Sequence, residues 1–155
     1  PMSAILEPDV LGGPNMWFLV LSRPRVARVT PNVPYIVISI TDPDRPEAVI
    51  AECPLRMAVL RLAFDDVDVA GSIWKAPSEE DAEAIVRFVA ERRSMADLIV
   101  CQCEAGMSRS AGVAAALSRW LNGHDEEFFE RYLPNRRIYR LILDRLGYDG
   151  VILPK

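Results

Sequence analysis

Residues 98–112 read LIVCQCEAGMSRSAG, and this short stretch predicts both a fold and a chemistry. The apolar run that begins at Leu98 is typical of a buried strand, and the small and apolar residues from Ser110 onward are typical of a buried helix. The intervening Glu104–Ser108 loop contains mainly small residues. A short loop between a strand and a helix directs backbone N–H groups and a helix N-terminus towards one point, which attracts anions and phosphate above all. The sequence therefore predicts an anion site at this loop.

Three side chains at the loop suit phosphate chemistry. Gly106 is the residue best able to adopt a positive φ in a tight loop. Arg109 carries a planar fork that can bind two phosphate oxygens at once. Cys103 lies at the start of the loop in the same positive field, which favours its thiolate and positions it for in-line attack on a phosphoryl group. The alternative is a buried strand cysteine without chemistry, and Arg109 and the glycine-containing loop favour the catalytic interpretation.

The rest of the chain alternates between strand and helix patterns. Ser78 is predicted to cap a helix with Asp81 as its capping-box partner, and that helix has a buried stripe of Ala82, Ile85, Val86 and Val89. Apolar, β-branched runs predict strands at 16–22, 34–40, 56–64 and 98–103, and further helices are predicted at 110–121, 126–133 and 135–147. This order predicts an α/β fold with a central, mostly parallel sheet of four to five strands flanked by helices.

The composition excludes several classes of protein. The 155 residues are half hydrophobic and 26% charged, which predicts a single domain over residues 1–155. No apolar run is long enough to cross a membrane, and no signal peptide is recognisable. Three cysteines are a poor disulfide framework, which favours the reducing cytoplasm. The net charge of −4 argues against a nucleic-acid partner. A late group of basic residues is interpreted as a solvated helix face in preference to a ligand patch: Arg131, Arg136, Arg137, Arg140 and Arg145.

The segment from Cys103 to Ser110 has the pattern C-x5-R-S and resembles the signature loop of the cysteine-based protein tyrosine phosphatases. Its form CEAGxSRS is most similar to the compact dual-specificity branch, and strand order extends the resemblance over about residues 35–121. The resemblance implies a phosphatase-like fold and hydrolysis of phosphomonoesters without a metal or organic cofactor. It implies that the substrate phosphate binds to Arg109 and to the loop residues Glu104, Ala105, Gly106, Met107 and Ser108.

The resemblance also assigns roles outside the loop. The family carries its general acid on a loop after an upstream strand, so Asp66 in LAFDDVD is the expected acid and Asp65 is the alternative. Sequence alone does not decide which carboxylate faces the pocket. Ser110 is expected to stabilise the departing thiolate. Asp68 is interpreted as a solvated loop residue.

One residue departs from the family pattern, because Gln102 stands where a histidine usually precedes the nucleophile. We expect Cys103 to work but to be less strongly activated. Two other functions stay open: a pseudophosphatase that binds phosphoproteins without turnover, and a rhodanese-like sulfur transferase. Cys101 is interpreted as a core cysteine rather than a partner that traps an oxidised nucleophile.

The predicted substrate is a phosphorylated protein or peptide. The loop contains no lysine of the kind that phosphoinositide phosphatases of this superfamily usually carry. We expect phosphotyrosine to be preferred, with phosphoserine and phosphothreonine also accepted. The sequence does not indicate an oligomeric state.

Overall fold

A five-stranded sheet forms the centre of the computed structural model, which describes residues 9–71 and 73–148. Four strands are the apolar runs expected from the sequence, and the fifth is a two-residue strand that the sequence pattern did not indicate. The strands are β1 (Leu11–Gly12), β2 (Trp17–Leu21), β3 (Tyr35–Thr41), β4 (Arg56–Ala63) and β5 (Leu98–Gln102).

The strand order is β1-β2-β5-β3-β4, and only β1 runs antiparallel to its neighbour. The strand β5 occupies the middle, where Leu98 pairs with Trp17 of β2 on one side and with Tyr35 of β3 on the other. All five residues of β5 are buried, as expected for a central strand covered on both faces. The prediction of a mostly parallel sheet of four to five strands is confirmed.

Among the described residues, five α-helices accompany the sheet: α1 (Arg23–Val26), α2 (Glu79–Arg92), α3 (Arg109–Asn122), α4 (Glu126–Arg131) and α5 (Arg136–Arg145). A 3-10 turn, Arg93–Met95, follows α2. The capping box predicted for α2 is present, because the side chains of Ser78 and Asp81 each accept a hydrogen bond from the other residue's backbone. The helix α3 ends at Gly123, whose φ of 86° is left-handed. The four-residue helix α1 was not predicted, and Ser22 caps it.

The two faces of the sheet are covered unequally. One face packs against α2 to α5 in a core that includes Phe18, Ile38 and Phe128. The other face is covered by α1 and by the segments beside β3 and β4, in a smaller cluster that includes Leu19 and Val37. Of the stripe predicted for α2, Val86 is only partly buried, and Phe88 is buried as well. In the described part of the chain, no helix has the length and apolarity needed to cross a bilayer.

Candidate active site

Cys103 lies directly after the central strand β5, at the carboxyl edge of the parallel strands, where ligands bind in open α/β sheets. Its backbone N–H donates to the carbonyl of Leu21 at the end of β2 (3.2 Å). Its side chain is almost fully buried, and its Sγ lies 3.0 Å from the Oγ of Ser110 in the first turn of α3. The structure therefore brings the predicted nucleophile and the predicted thiolate-stabilising hydroxyl into contact.

The loop that follows is held in shape by its neighbours. Gly106 has a φ of 68°, and a Cβ on it would lie 2.5 Å from the backbone nitrogen of Ser22. Both the conformation and the space therefore require glycine there. On the other side, Leu133 N–H donates to the Met107 carbonyl (3.0 Å) and Asn135 N–H donates to the Ser108 carbonyl (2.9 Å). The loop is fixed between the start of α1 and the segment before α5.

Glu104 ties two further segments to this loop. Its carboxylate forms ion pairs with Arg23 of α1 (3.1 Å) and with Arg45 after β3 (2.7 Å). Arg23 also donates to the carbonyl of Pro46 (2.6 Å). The first residue after Cys103 thus has a structural contact of its own, which its place in the loop did not reveal.

Arg109 is anchored by one end of its guanidinium group. Its Nη1 donates to the Asp42 carboxylate (2.7 Å) and to the carbonyl of Phe64 (2.8 Å), and its side chain is only 7% exposed. The Nε of Arg109 is buried and has no hydrogen-bond partner within residues 9–71 and 73–148. A buried donor without an acceptor is costly, so this group has an unmet preference for an anion or another acceptor.

The structure separates the two adjacent carboxylates after β4. Asp66 Oδ1 accepts hydrogen bonds from Ser108 Oγ (2.8 Å) and from Asn135 Nδ2 (2.9 Å), which places this carboxylate against the loop. Asp65 instead accepts from the backbone N–H of Lys75 (2.8 Å), while its own N–H donates to the Lys75 carbonyl (2.7 Å). Asp66 therefore contacts the site, and Asp65 closes the loop that carries Asp66.

Asn135 links several parts of the site, although sequence reasoning did not single it out. Its Nδ2 donates to Asp66 and to the carbonyl of Val67 (3.1 Å), and its Oδ1 accepts from Ile138 N–H as the N-cap of α5. A signal was present, because Asn between a proline and an apolar-periodic segment is a typical helix start. Its contact with Asp66 is long-range and has no local signature.

Gln102, which stands where the family that the chain resembles usually carries a histidine, is fully buried next to Cys103. The hydroxyl of Ser39 on β3 donates to its Oε1 (2.5 Å), and its Nε2 has no partner among the described residues. The amide thus holds one contact to the neighbouring strand and adds no charge at the site.

The burial of Cys101 indicates a structural role. It is fully buried in β5, and this burial, with a smaller contribution from nearby Cys103, raises the pKa of the Cys101 thiol well above its ordinary value. All three cysteines of the chain are described, and each is a free thiol. In the described ranges, no cluster of three or more His, Cys, Asp or Glu side chains could hold a metal ion.

Comparison with known proteins tests the architecture around these residues. No protein-family model matches this chain, and no curated protein sequence matches it. Solved structures do match. A mouse putative dual specificity phosphatase complexed with zinc tungstate aligns with a TM-score of 0.54 and 18% identity, over 92% of this chain and 90% of that chain. Human DUSP28 aligns with a TM-score of 0.51 and 17% identity, over 91% of this chain and 99% of that chain.

This chain has the dual-specificity phosphatase fold. A third structure, the human tyrosine phosphatase-like serine/threonine/tyrosine-interacting protein, aligns with a TM-score of 0.52 and 16% identity, over 74% of this chain and 77% of that chain. At these identities the likeness concerns the fold, and the chemistry has to be argued from the site.

Within this phosphatase fold, residues far apart in sequence meet at one edge of the sheet. The structure brings the 104–108 loop together with the predicted residues Cys103, Arg109, Ser110 and Asp66, whereas Asp65 bonds to the backbone of Lys75. Asp42 was not predicted from the sequence, because an aspartate in the turn TDPD after β3 is most simply interpreted as a turn residue.

Proposed function

We propose that this chain is a cysteine-dependent phosphatase that hydrolyses phosphotyrosine, and also phosphoserine and phosphothreonine, in proteins through a phosphocysteine intermediate. The observation that carries the proposal is the buried Nε of Arg109, which lacks an acceptor beside a buried cysteine that contacts Ser110. A bound phosphoryl group would supply oxygens for that donor and for the loop N–H groups.

In the first step, the Cys103 thiolate attacks phosphorus and the bond from phosphorus to the leaving oxygen breaks. Arg109 and the backbone of the 104–108 loop hold the equatorial oxygens, and Asp66 gives its proton to the leaving oxygen. In the second step, water attacks the phosphocysteine while Asp66 accepts a proton from it. Inorganic phosphate is released, and the Ser110 hydroxyl stabilises the thiolate that departs. The proposed steps use no cofactor.

Two contacts support the assignment of Asp66. A carboxylate that accepts from Ser108 and Asn135 is held over the loop on which the phosphate would sit. The hydrogen bonds also restrict its rotamers, so the proton would be delivered from a fixed position. The Asp65 carboxylate is occupied by the backbone of Lys75, which supports a role in shaping the acid loop.

The test is hydrolysis of p-nitrophenyl phosphate from pH 5 to pH 8 by the wild type and by matched variants. Cys103→Ser should abolish turnover, and Asp66→Asn should lower kcat by about 10² or more, as expected for loss of a general acid. Asp65→Asn removes the same charge one residue earlier and should lower kcat less than Asp66→Asn does. Turnover that survives Cys103→Ser would overturn the proposed mechanism.

A phosphoprotein-binding module is the second candidate, and the observation that favours it is Gln102. An uncharged amide with an unpartnered Nε2 stands beside the nucleophile, where it contributes no positive charge to a thiolate. Binding of vanadate by a wild type that shows no turnover would support this alternative. A sulfur transferase is less consistent with a phosphatase fold, and a thiosulfate assay tests it directly.

A further inference from the structure

Exposed apolar side chains gather around the candidate active site. Within the described residues, most of the large apolar side chains that are exposed form an apolar rim: Val69, Ile73, Trp74, Met107 and Leu133. The exceptions are Val49 after β3, Met57 in β4 and Met95 in the 3-10 turn after α2. Single exposed apolar residues are normal on a protein, whereas an apolar group at one place on the surface marks an interaction.

Hydrogen bonds place the apolar rim beside the 104–108 loop. Met107 belongs to this loop, and the Leu133 N–H donates to the Met107 carbonyl (3.0 Å). The other three residues of the rim belong to the acid loop, which carries Asp66 and is described over residues 65–71 and 73–75. Asp66 accepts a hydrogen bond from a side chain of the 104–108 loop (2.8 Å), so the acid loop adjoins it too.

The acid loop presents its apolar side chains to solvent from a fixed base. The N–H of Asp65 donates to the Lys75 carbonyl (2.7 Å), and the N–H of Lys75 donates to the Asp65 carboxylate (2.8 Å). Between these two residues, Ile73 is 93% exposed and Val69 is 73% exposed. Contact of large apolar groups with water is unfavourable, so the binding of an apolar group against them is favourable.

The position of the apolar rim determines what covers it. A substrate phosphate has to reach Cys103 and the unpartnered Nε of Arg109, both of which lie at the 104–108 loop. The groups attached to that phosphate extend from the loop past its neighbours. In a phosphotyrosine peptide, the residues on either side of the phosphotyrosine therefore meet the apolar rim.

Charges of both signs lie next to the apolar rim, which favours a peptide over a membrane surface. Asp68 is exposed and directly precedes Val69, and Lys75 is exposed and directly follows Trp74. An anionic lipid surface would repel the carboxylates of the acid loop, and the transfer of Asp68 into hydrocarbon is unfavourable. Because neither sign of charge dominates, apolar contact decides which flanking residues bind best.

We propose that the apolar rim selects phosphotyrosine peptides with large apolar residues, such as leucine, within about three positions of the phosphotyrosine, a reach of roughly 10 Å along an extended chain. This inference rests on the proposed function and adds a sequence preference to it. Val69, Ile73 and Leu133 are specificity-determining residues on this assignment, and they act on the flanking residues rather than on the reacting atoms.

The experiment compares kcat/KM for phosphotyrosine peptides that carry leucine, serine, lysine or glutamate at one flanking position from −3 to +3. The wild type should prefer leucine to serine at one position or more by about fivefold, the size expected when roughly half of a leucine side chain leaves water. The preference should persist at high salt, because apolar contact is not screened. Hydrolysis of p-nitrophenyl phosphate, measured for each variant, gives the reference for active enzyme.

Two double variants form a matched pair. Val69→Ser combined with Ile73→Ser should reduce the preference for leucine by about twofold or more. Val49→Ser combined with Met57→Ser makes the same change at two exposed apolar residues outside the rim, one of them with the same 73% exposure as Val69, and should preserve the preference.

Equal kcat/KM for leucine and serine at every position would overturn the proposal, as would a preference that the two double variants change equally. A preference for lysine or glutamate that falls with ionic strength would show selection by charge and would also overturn it. Sedimentation of the wild type with vesicles of phosphatidylcholine and phosphatidylserine, lost in the rim variant, would overturn the choice of a peptide.

A binding measurement separates this proposal from the proposed function. Fluorescence anisotropy on Cys103→Ser reports the affinity for the same peptides without turnover. Tighter binding of the leucine peptides would support the apolar rim even if the wild type proved inactive. Equal affinity for leucine and serine peptides, together with normal turnover by the wild type, would overturn the rim and leave the phosphatase mechanism intact.

Discussion

The contact between Asp42 and Arg109 gives the sharpest prediction of the structure. Arg109 donates from Nη1 to Asp42, which leaves the buried Nε and the remaining terminal nitrogen for an anion. On this geometry, Asp42 is a positioning residue that acts through the arginine. Asp42→Asn keeps the size of the side chain and a neutral oxygen acceptor, and it removes the charge.

The size of the effect follows from the distance and the burial. A hydrogen bond of 2.7 Å between a guanidinium group that is 7% exposed and a carboxylate that is 32% exposed is charge-assisted and partly shielded from water. Such a bond contributes about 1.5–3 kcal/mol, against about 1 kcal/mol for its neutral counterpart. The variant should therefore lose about 0.5–2 kcal/mol of transition-state stabilisation, or about 2- to 30-fold in kcat/KM.

The assay is steady-state hydrolysis of p-nitrophenyl phosphate, with Asp44→Asn as the matched control. Asp44 lies two residues later in the same turn and is exposed, and it has no polar partner among the described residues, so its variant should behave like the wild type. An unchanged kcat/KM in Asp42→Asn would refute the positioning argument. An increase would mean that Asp42 competes with the phosphate for Arg109 instead of orienting it.

Two further predictions concern the fold around the site. Gly106→Ala should cost on the order of 3 kcal/mol in unfolding free energy and remove most activity, because its Cβ would meet backbone at 2.5 Å. Gly123→Ala, also at positive φ but with open space, should cost only about 1 kcal/mol in a urea titration; equal losses would contradict the steric argument. The hydrogen bond from Arg145, with help from Arg87, lowers the pKa of Glu83. A lowered carboxyl pKa stabilises the folded state above the unfolded-state pKa, and this contribution is lost as pH falls through the folded-state pKa. The difference in urea midpoint between wild type and Glu83→Gln should therefore shrink from pH 7 to pH 2.5, and a difference that persists would contradict the ion pair.

Much of the fold could be predicted from local patterns, because those patterns match the forces that act locally. The apolar run of β5 and the capping box at Ser78 each satisfy their requirements within a few residues. The strand β1 and the helix α1 were not predicted, because local patterns do not determine them. Two residues of strand or four of helix are too short to show a period, and both elements depend on packing against β2 and the 104–108 loop.

The site residues also fall into those that a local motif predicts and those that it does not. Cys103, Arg109 and Ser110 lie within one strand–loop–helix segment, so a local motif predicted their meeting. Asp66 and Asp65 could not be separated by sequence, because the difference between them is the direction of a side chain across a loop. Asp42 and Asn135 were missed because each reaches the site through a contact between residues distant in the chain.

The central position of β5 has a consequence for the order of folding. Its partners in the sheet are far away in sequence: Leu98 of β5, for example, pairs with Trp17 of β2. Parallel pairings of this kind must close a long loop before they gain contacts. The loop after β5 is completed only when Asn135 docks on Ser108. A nascent or truncated chain that ends before residue 135 would contain the whole C-x5-R segment and still lack one side of its support. On the proposed function, we expect catalytic competence to appear late in folding, together with the docking of α5, so that activity would report complete folding.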